Sequence, residues 1–194
     1  LLFVKVETDA GIHGWGEAYT QSDRDKTVIA HIDEMARYLV GRDPMHIRHF
    51  RVWAYEDFAT KRSAMDFWCA FSGIEIALWD IAGKAMDQPV YNLLGGPVRP
   101  HIRLYANSWS GGMSTPDEYA AGAMEVVKSG FTAMKFDPFP GPWRPWVDHA
   151  ELEEAAAIVG AIREAVGPRV ELLVEVHRRL APMNAIAVGK LIEQ

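Results

Sequence analysis

The sequence predicts an α/β protein built in two parts: an α+β segment over residues 1–96, then the opening of a helix-wound parallel sheet over 97–194. Three observations carry this. Two apolar runs, 1–8 and 12–18, flank the turn residues Asp9-Ala10-Gly11 and read as a hairpin. Residues 64–86 bring Phe67, Phe71, Ile74, Leu78, Ile81 and Ala85 round at spacings of four and three, the stripe of one long helix. Past Pro100, short apolar runs alternate with helical segments across short connections, the order of a parallel sheet crossed by helices.

The elements follow in order. Residues 24–40 read as a helix that ends before Gly41 and Pro44. Pro89 stops the long helix, and PVYNLLGG (89–96) closes the first part with a short turn and two glycines. HIRLYANSW (101–109) reads as a strand. Thr115 is placed to cap a helix over 116–129, with Pro116 at its first position and Gly130 at its end. FTAMKFDPF (131–139) is the next strand, and a loop rich in Pro and Trp runs over 138–146. A helix over 151–166 carries acids in its first turn, which suits the helix dipole. Gly167-Pro168 ends it, VELLVEV (170–176) is a third strand, and Pro182 begins another helix.

Composition narrows the class. With 49% hydrophobic and 24% charged residues over 194 positions, the chain is ordinary globular protein. A net charge of −6 argues against a nucleic-acid binder or an anionic-membrane binder, which would carry a basic face. The single cysteine, Cys69, excludes an intrachain disulfide framework and a cysteine-rich zinc site. It fits a reducing, cytoplasmic compartment, and its apolar surroundings make it a core residue. No apolar run approaches the roughly 20 residues that span a bilayer, and no signal peptide is visible. Both ends read as the interior of an element, without an initiator Met. The expectation is a piece of a longer protein, with a strand missing ahead of residue 1 and further strands beyond Gln194.

In a parallel α/β barrel, chemistry gathers at the C-terminal ends of the strands. The second strand ends in Lys135-Phe136-Asp137 and the third in Glu175-Val176-His177. With a period of two, Lys135 and Asp137 share one face, as do Glu175 and His177, while Leu172, Val174 and Val176 turn toward the helices. Buried charge is costly unless paired or metal-bound. Two readings are open. One is a salt-bridge ring, Lys135 with Glu175 and Asp137 with His177. The other is an acid-rich site for a hard cation, with a His and a Lys at hand for proton transfer. Elsewhere, Trp15 and Tyr19 read either as pocket-lining or as surface aromatics. His46 and His49 form an i, i+3 pair without a third ligand and read as a solvated helix face, as do His13, His31 and His149. There is no Walker-type phosphate loop and no serine nucleophile elbow.

Taken together, four stretches resemble the mandelate racemase-like branch of the enolase superfamily. G-I-H-G-W-G-E-A (11–18) is similar to its G-x-x-G-x-G-E-A hairpin, S-G-I-E-I-A-L-W-D-I-A-G-K (72–84) to its long helix, and P-V-Y-N-L-L-G-G (89–96) to its P-x-x-x-L-L-G-G. G-F-T-A-M-K-F-D (130–137) sits where that family has its second barrel strand. The resemblance implies an α+β capping domain (1–96) and the first three βα units of a modified TIM barrel, (β/α)7β (97–194). A whole barrel takes about 250 residues.

It also implies Mg²⁺-assisted abstraction of a proton alpha to a carboxylate, the chemistry for which this superfamily is the standard illustration. Glu175 falls on the first family metal ligand, where Asp is usual. Many relatives carry Lys-x-Lys on the second strand. Asp137 replaces the second lysine, which tells against a two-base racemase and a cycloisomerase. The acid-x-His of Glu175 and His177 resembles the galactonate, gluconate and mannonate dehydratases, and implies His177 as the general acid on a departing 3-hydroxyl. On that reading Lys135 stabilises charge near the substrate carboxylate, Asp137 bonds substrate hydroxyls or Lys135, and Trp15, Tyr19 and Arg179 or Arg178 contact a small sugar acid. Family members imply a homo-oligomer. A racemase or epimerase of the same superfamily and a non-catalytic member are the alternatives.

Overall fold

The computed structural model describes residues 1–20, 24–58, 64–139, 147–177 and 179–193. They fall into two compact units, residues 1–100 and 101–194.

In the first unit, β1 (Leu2–Glu7) and β2 (His13–Ala18) form the expected antiparallel hairpin, with Leu2 opposite Ala18 and Glu7 opposite His13. Alternation turns Val4, Gly14, Gly16 and Ala18 inward and leaves Phe3, Lys5, Trp15 and Glu17 on the outer face. Helix α1 (Asp25–Leu39) is followed by α2 (Ile47–Trp53), which runs into a π-helical turn at Ala54–Phe58. Helix α3 (Met65–Ala85) lies under the hairpin, and α4 (Val90–Leu93) is a single turn. Met35, Phe50, Ile74 and Ile81 are almost wholly buried at the centre. Cys69 belongs to this core, and burial pushes its thiol pKa up, as for an inert packing residue.

The glycines of the hairpin have a steric cause. A Cβ on Gly14 would lie 2.0 Å from the carbonyl oxygen of Ala77, and one on Gly16 would lie 1.9 Å from that of Gly73. A Cβ on Gly73 would in turn stand 2.8 Å from the Ala18 methyl. Strand and helix therefore meet backbone to backbone, and only residues without a side chain allow it.

The seam is fastened by two residues of α3. The Trp15 N–H donates to Asp80 Oδ2 at 2.8 Å. Lys84 Nζ donates to the same oxygen at 2.7 Å and to the His13 carbonyl at 2.8 Å. Burial alone would raise the Asp80 pKa, but the bonds from Lys84 and the Trp15 N–H outweigh it and hold the carboxyl below its usual value. A depressed folded pKa adds stability that is present above the unfolded value, about 3.9, and is lost as pH falls through the folded one. Asp80→Asn is therefore expected to cost about 1–2 kcal/mol at pH 7. It should also flatten the fall in melting temperature between pH 5 and pH 3. Parallel pH profiles for wild type and variant would count against the seam role.

The second unit departs from expectation at its start. The strand expected over 101–109 reduces to one parallel bridge, Ala106 opposite Met134. The Ala106 N–H donates to the Ala133 carbonyl at 3.0 Å, and the Lys135 N–H to the Ala106 carbonyl at 2.8 Å. Before the bridge the chain is held by a side chain instead of a ladder. Arg103 reaches Thr132 and, at 2.7 Å, Glu171, while Ile102 and Leu104 stay exposed. Helix α5 (Pro116–Lys128) begins as expected, with Thr115 and Glu118 closing a capping box around Pro116. Then come β3 (Ala133–Phe136), α6 (His149–Val166) with its own Asp148–Glu151 capping box, β4 (Glu171–Val174) and α7 (Pro182–Ile192).

β3 and β4 pair in parallel, Ala133 opposite Glu171 through Phe136 opposite Val174. Met134 and Phe136 pack with Tyr119 and Ala123 of α5 and Ile158 and Ile162 of α6. Leu172, Val174 and Val176 turn toward the helices as the alternation implied. The opposite face carries Lys135 and the half-exposed Leu173. Among the described residues, no helix is long and apolar enough to cross a membrane.

Candidate active site

Because β3 and β4 are parallel, their C-terminal ends lie together, and the polar residues follow directly. Asp137 is one residue past β3. Glu175, Val176 and His177 come after β4, which is shorter than the expected 170–176. The ladder carries one bond further, from the Glu175 N–H to the Phe136 carbonyl at 2.9 Å. Then it breaks. His177 has φ of +44°, left-handed for a residue with a side chain, so strict alternation from Glu175 to His177 does not hold. A turn, not the pleat, brings the imidazole back to the site.

Both pairings considered from the sequence form. Lys135 Nζ lies 3.4 Å from Glu175 Oε2, and His177 Nδ1 lies 2.7 Å from Asp137 Oδ2. The His177 N–H donates to Glu175 Oε1 at 2.9 Å. That backbone bond, with the Lys135 ammonium beside it, outweighs desolvation and holds the Glu175 carboxyl below its usual range. Glu175 is thus an anion at neutral pH. These pairs are not sealed in a core: the four side chains are between 24% and 47% exposed. Groups so placed are paired with one another and still open to a ligand.

Asp137 is fixed more tightly than the rest. Its Oδ1 accepts the Phe139 N–H at 3.0 Å, and its backbone carbonyl accepts the Tyr119 hydroxyl of α5 at 3.1 Å. Its Oδ2 accepts from Arg179 as well as meeting His177. Of the two partners the sequence offered Asp137, substrate hydroxyls or Lys135, the second is not taken up, since Lys135 turns to Glu175. Arg179, named from the sequence as a substrate contact, is buried: its side chain is 5% exposed and bonded to Asp137 and to the Phe139 carbonyl at 3.3 Å. A guanidinium so deep must have a carboxylate, and Asp137 supplies it. Two adjacent arginines after a strand read as solvent-facing, so no pattern in the sequence announced this burial. Arg178 and residues 140–146 of the Pro- and Trp-rich loop lie outside the described residues.

Trp15 and Tyr19 belong to the first unit. Both are exposed, and the Trp15 ring stands edge-on to His13 with Lys5 Nζ 5.7 Å from its centre. His46 stands 3.6 Å from Asp43, and His49 Nδ1 meets the Tyr38 hydroxyl at 2.7 Å. Among the described residues, no group of three or more His, Cys, Asp or Glu is placed to hold a metal. Glu175, ionised and partly exposed, fits a hard cation as one oxygen ligand and no more.

Comparison with known proteins places the two units in a family. Residues 1–95 match the mandelate racemase / muconate lactonizing enzyme N-terminal domain, and residues 118–194 match the enolase C-terminal domain-like family. The chain is 38% identical over 193 residues to the D-gluconate dehydratase of Thermoproteus tenax, covering 99% of itself and 38% of that protein. It is 38% identical over 192 residues to the D-galactonate dehydratase of Pectobacterium atrosepticum, covering 98% of itself and 48% of that protein. A crystal structure of a member of the enolase superfamily from Salmonella Typhimurium superposes with a TM-score of 0.91 at 31% identity, over 98% of this chain and 54% of that one. The chain thus spans about half the length, or less, of the relatives it matches. Its first unit is an α+β capping domain and its second the first part of a modified TIM barrel. By the two family matches together, the chain belongs to the mandelate racemase / muconate lactonizing enzyme branch of the enolase superfamily.

Proposed function

We propose that the protein carrying this chain is a sugar-acid dehydratase. It would remove the proton alpha to the carboxylate of an aldonate or aldarate and expel the 3-hydroxyl as water, leaving a 2-keto-3-deoxy acid. The observation that carries this is the convergence of Glu175, His177 and Lys135 at two adjacent strand ends, partly open to solvent. The names of the Thermoproteus and Pectobacterium relatives support it. Asp137 argues against a racemase with a second-strand lysine base, because its carboxylate is already committed to Arg179, His177 and the Phe139 N–H.

Each residue has a role on this reading. His177 gives a proton to the leaving hydroxyl, a task suited to an imidazole, whose ring nitrogens can both carry and release one. The Lys135 ammonium, now beside Glu175, lies where a substrate carboxylate would gain from a fixed cation. Arg179 acts through the Asp137 carboxylate that it holds. Glu175 would be this chain's ligand to Mg²⁺, the other ligands coming from outside the described residues. When bound, the cation would stabilise the negative charge that builds on the substrate carboxylate as the alpha proton leaves.

The test is product analysis. The intact protein, offered a panel of aldonates and aldarates with MgCl₂, is expected to release a 2-keto-3-deoxy acid and to stop when EDTA is added. Exchange of the C2 hydrogen in D₂O with no keto product would instead identify an epimerase.

A further inference from the structure

We propose that Arg179, Asp137 and His177 form a positioning relay, in which Asp137 fixes the tautomer and orientation of the His177 ring and the buried Arg179 fixes Asp137. The inference rests on the reading of His177 as the proton donor and adds what makes it one.

The geometry carries it. A carboxylate has no proton to give, so the 2.7 Å contact between His177 Nδ1 and Asp137 Oδ2 is a hydrogen bond only if Nδ1 carries the hydrogen. With Nδ1–H given to Asp137, exchange with substrate falls to Nε2. Asp137 can hold the ring only if it is itself held, and it is. Phe139 N–H fixes one oxygen, Arg179 shares the other, and Tyr119 ties the backbone carbonyl to α5. Arg179 is anchored in turn by the Phe139 carbonyl, with its guanidinium 5.7 Å from the centre of the Phe139 ring.

A purely structural Arg179–Asp137 pair would not require His177. That residue is about half exposed, so burial does not demand a partner for it. Yet it adopts a left-handed backbone, a conformation unfavourable for a residue with a side chain that persists only where the surroundings impose it. The turn that accepts this cost is what brings the ring to Asp137 and the His177 N–H to Glu175.

The experiment is nitrogen-15 NMR of the intact protein with labelled histidine, the His177 signals being assigned by their loss in His177→Asn. Nδ1 is expected to carry the hydrogen in the wild type, and Asp137→Asn is expected to move it to Nε2. In the same variant kcat should fall roughly 100-fold with KM changed less than threefold. A wild-type ring protonated only at Nε2 overturns the relay, and this reading needs no variant to fold. So does an Asp137→Asn protein with an unchanged His177 signature, or one whose loss lies in KM alone. If the wild type yields no keto acid from any sugar acid, the proposed function fails while the tautomer still decides the relay.

Discussion

His177→Asn should lower the dehydration rate of the intact protein by about 10²–10⁴-fold, the usual contribution of a positioned general acid. At 1.36 kcal/mol per tenfold that is roughly 3–5 kcal/mol of transition-state stabilisation. KM should change little, because the lost interaction matters when the hydroxyl leaves and not when the substrate binds. Exchange of the C2 hydrogen with D₂O should survive, since the role proposed for His177 is at the leaving hydroxyl and not at C2. A decisive refinement uses a substrate analogue with fluoride in place of the 3-hydroxyl. Fluoride departs with far less need of a proton, so the variant should regain most of the elimination rate on it. Near wild-type dehydration by His177→Asn, or no rescue by fluoride, would remove His177 from the role of acid.

Gly16→Ala should be among the most destabilising single-methyl additions in the chain. The new Cβ would stand 1.9 Å from the Gly73 carbonyl oxygen, where ordinary contact begins at 3.4 Å. Both partners are backbone, so no rotamer change relieves the clash and the strand must lift from the helix. Lifting it also stretches the Trp15–Asp80 bond next door. Overpacking of this kind costs about 3 kcal/mol or more. For a unit of this size that is more than about 12 °C in melting temperature. Gly111→Ala is the control, as nothing lies within 4 Å of its Cβ, and it should shift the melt by no more than about 2 °C. A Gly16→Ala protein that melts with the control would show that the seam is looser than drawn.

Much of this was legible in the sequence, for identifiable reasons. The hairpin, the long helix and the Thr115 cap are local, and periodicity and capping chemistry specify them without reference to distant residues. Glu175 and His177 could be placed at a strand tip because an apolar run of known direction ends there. The turn at His177 could not be read, because a left-handed histidine has no compositional mark. Nor could the burial of Arg179, whose partner Asp137 lies 42 residues earlier and reaches it only through the pairing of β3 with β4. The strand expected over 101–109 fell short for the converse reason. Its composition favours a strand, but a ladder needs backbone partners, and among the described residues it finds them only at Ala106.

The glycine seam has a consequence for how the chain is made. The hairpin face at residues 14–18 is completed by residues 73–84, so its covering helix follows it by about 60 residues of synthesis. At about 5–20 residues per second, Val4, Ala18 and the bare backbone of Gly14 and Gly16 would emerge from the ribosome roughly 3–12 seconds before α3 arrives. During that interval these two strands wait for the helix that covers them, and a two-stranded ribbon is marginal in water on its own. The nascent chain, more than the finished fold, is where this seam exposes the protein to misassembly.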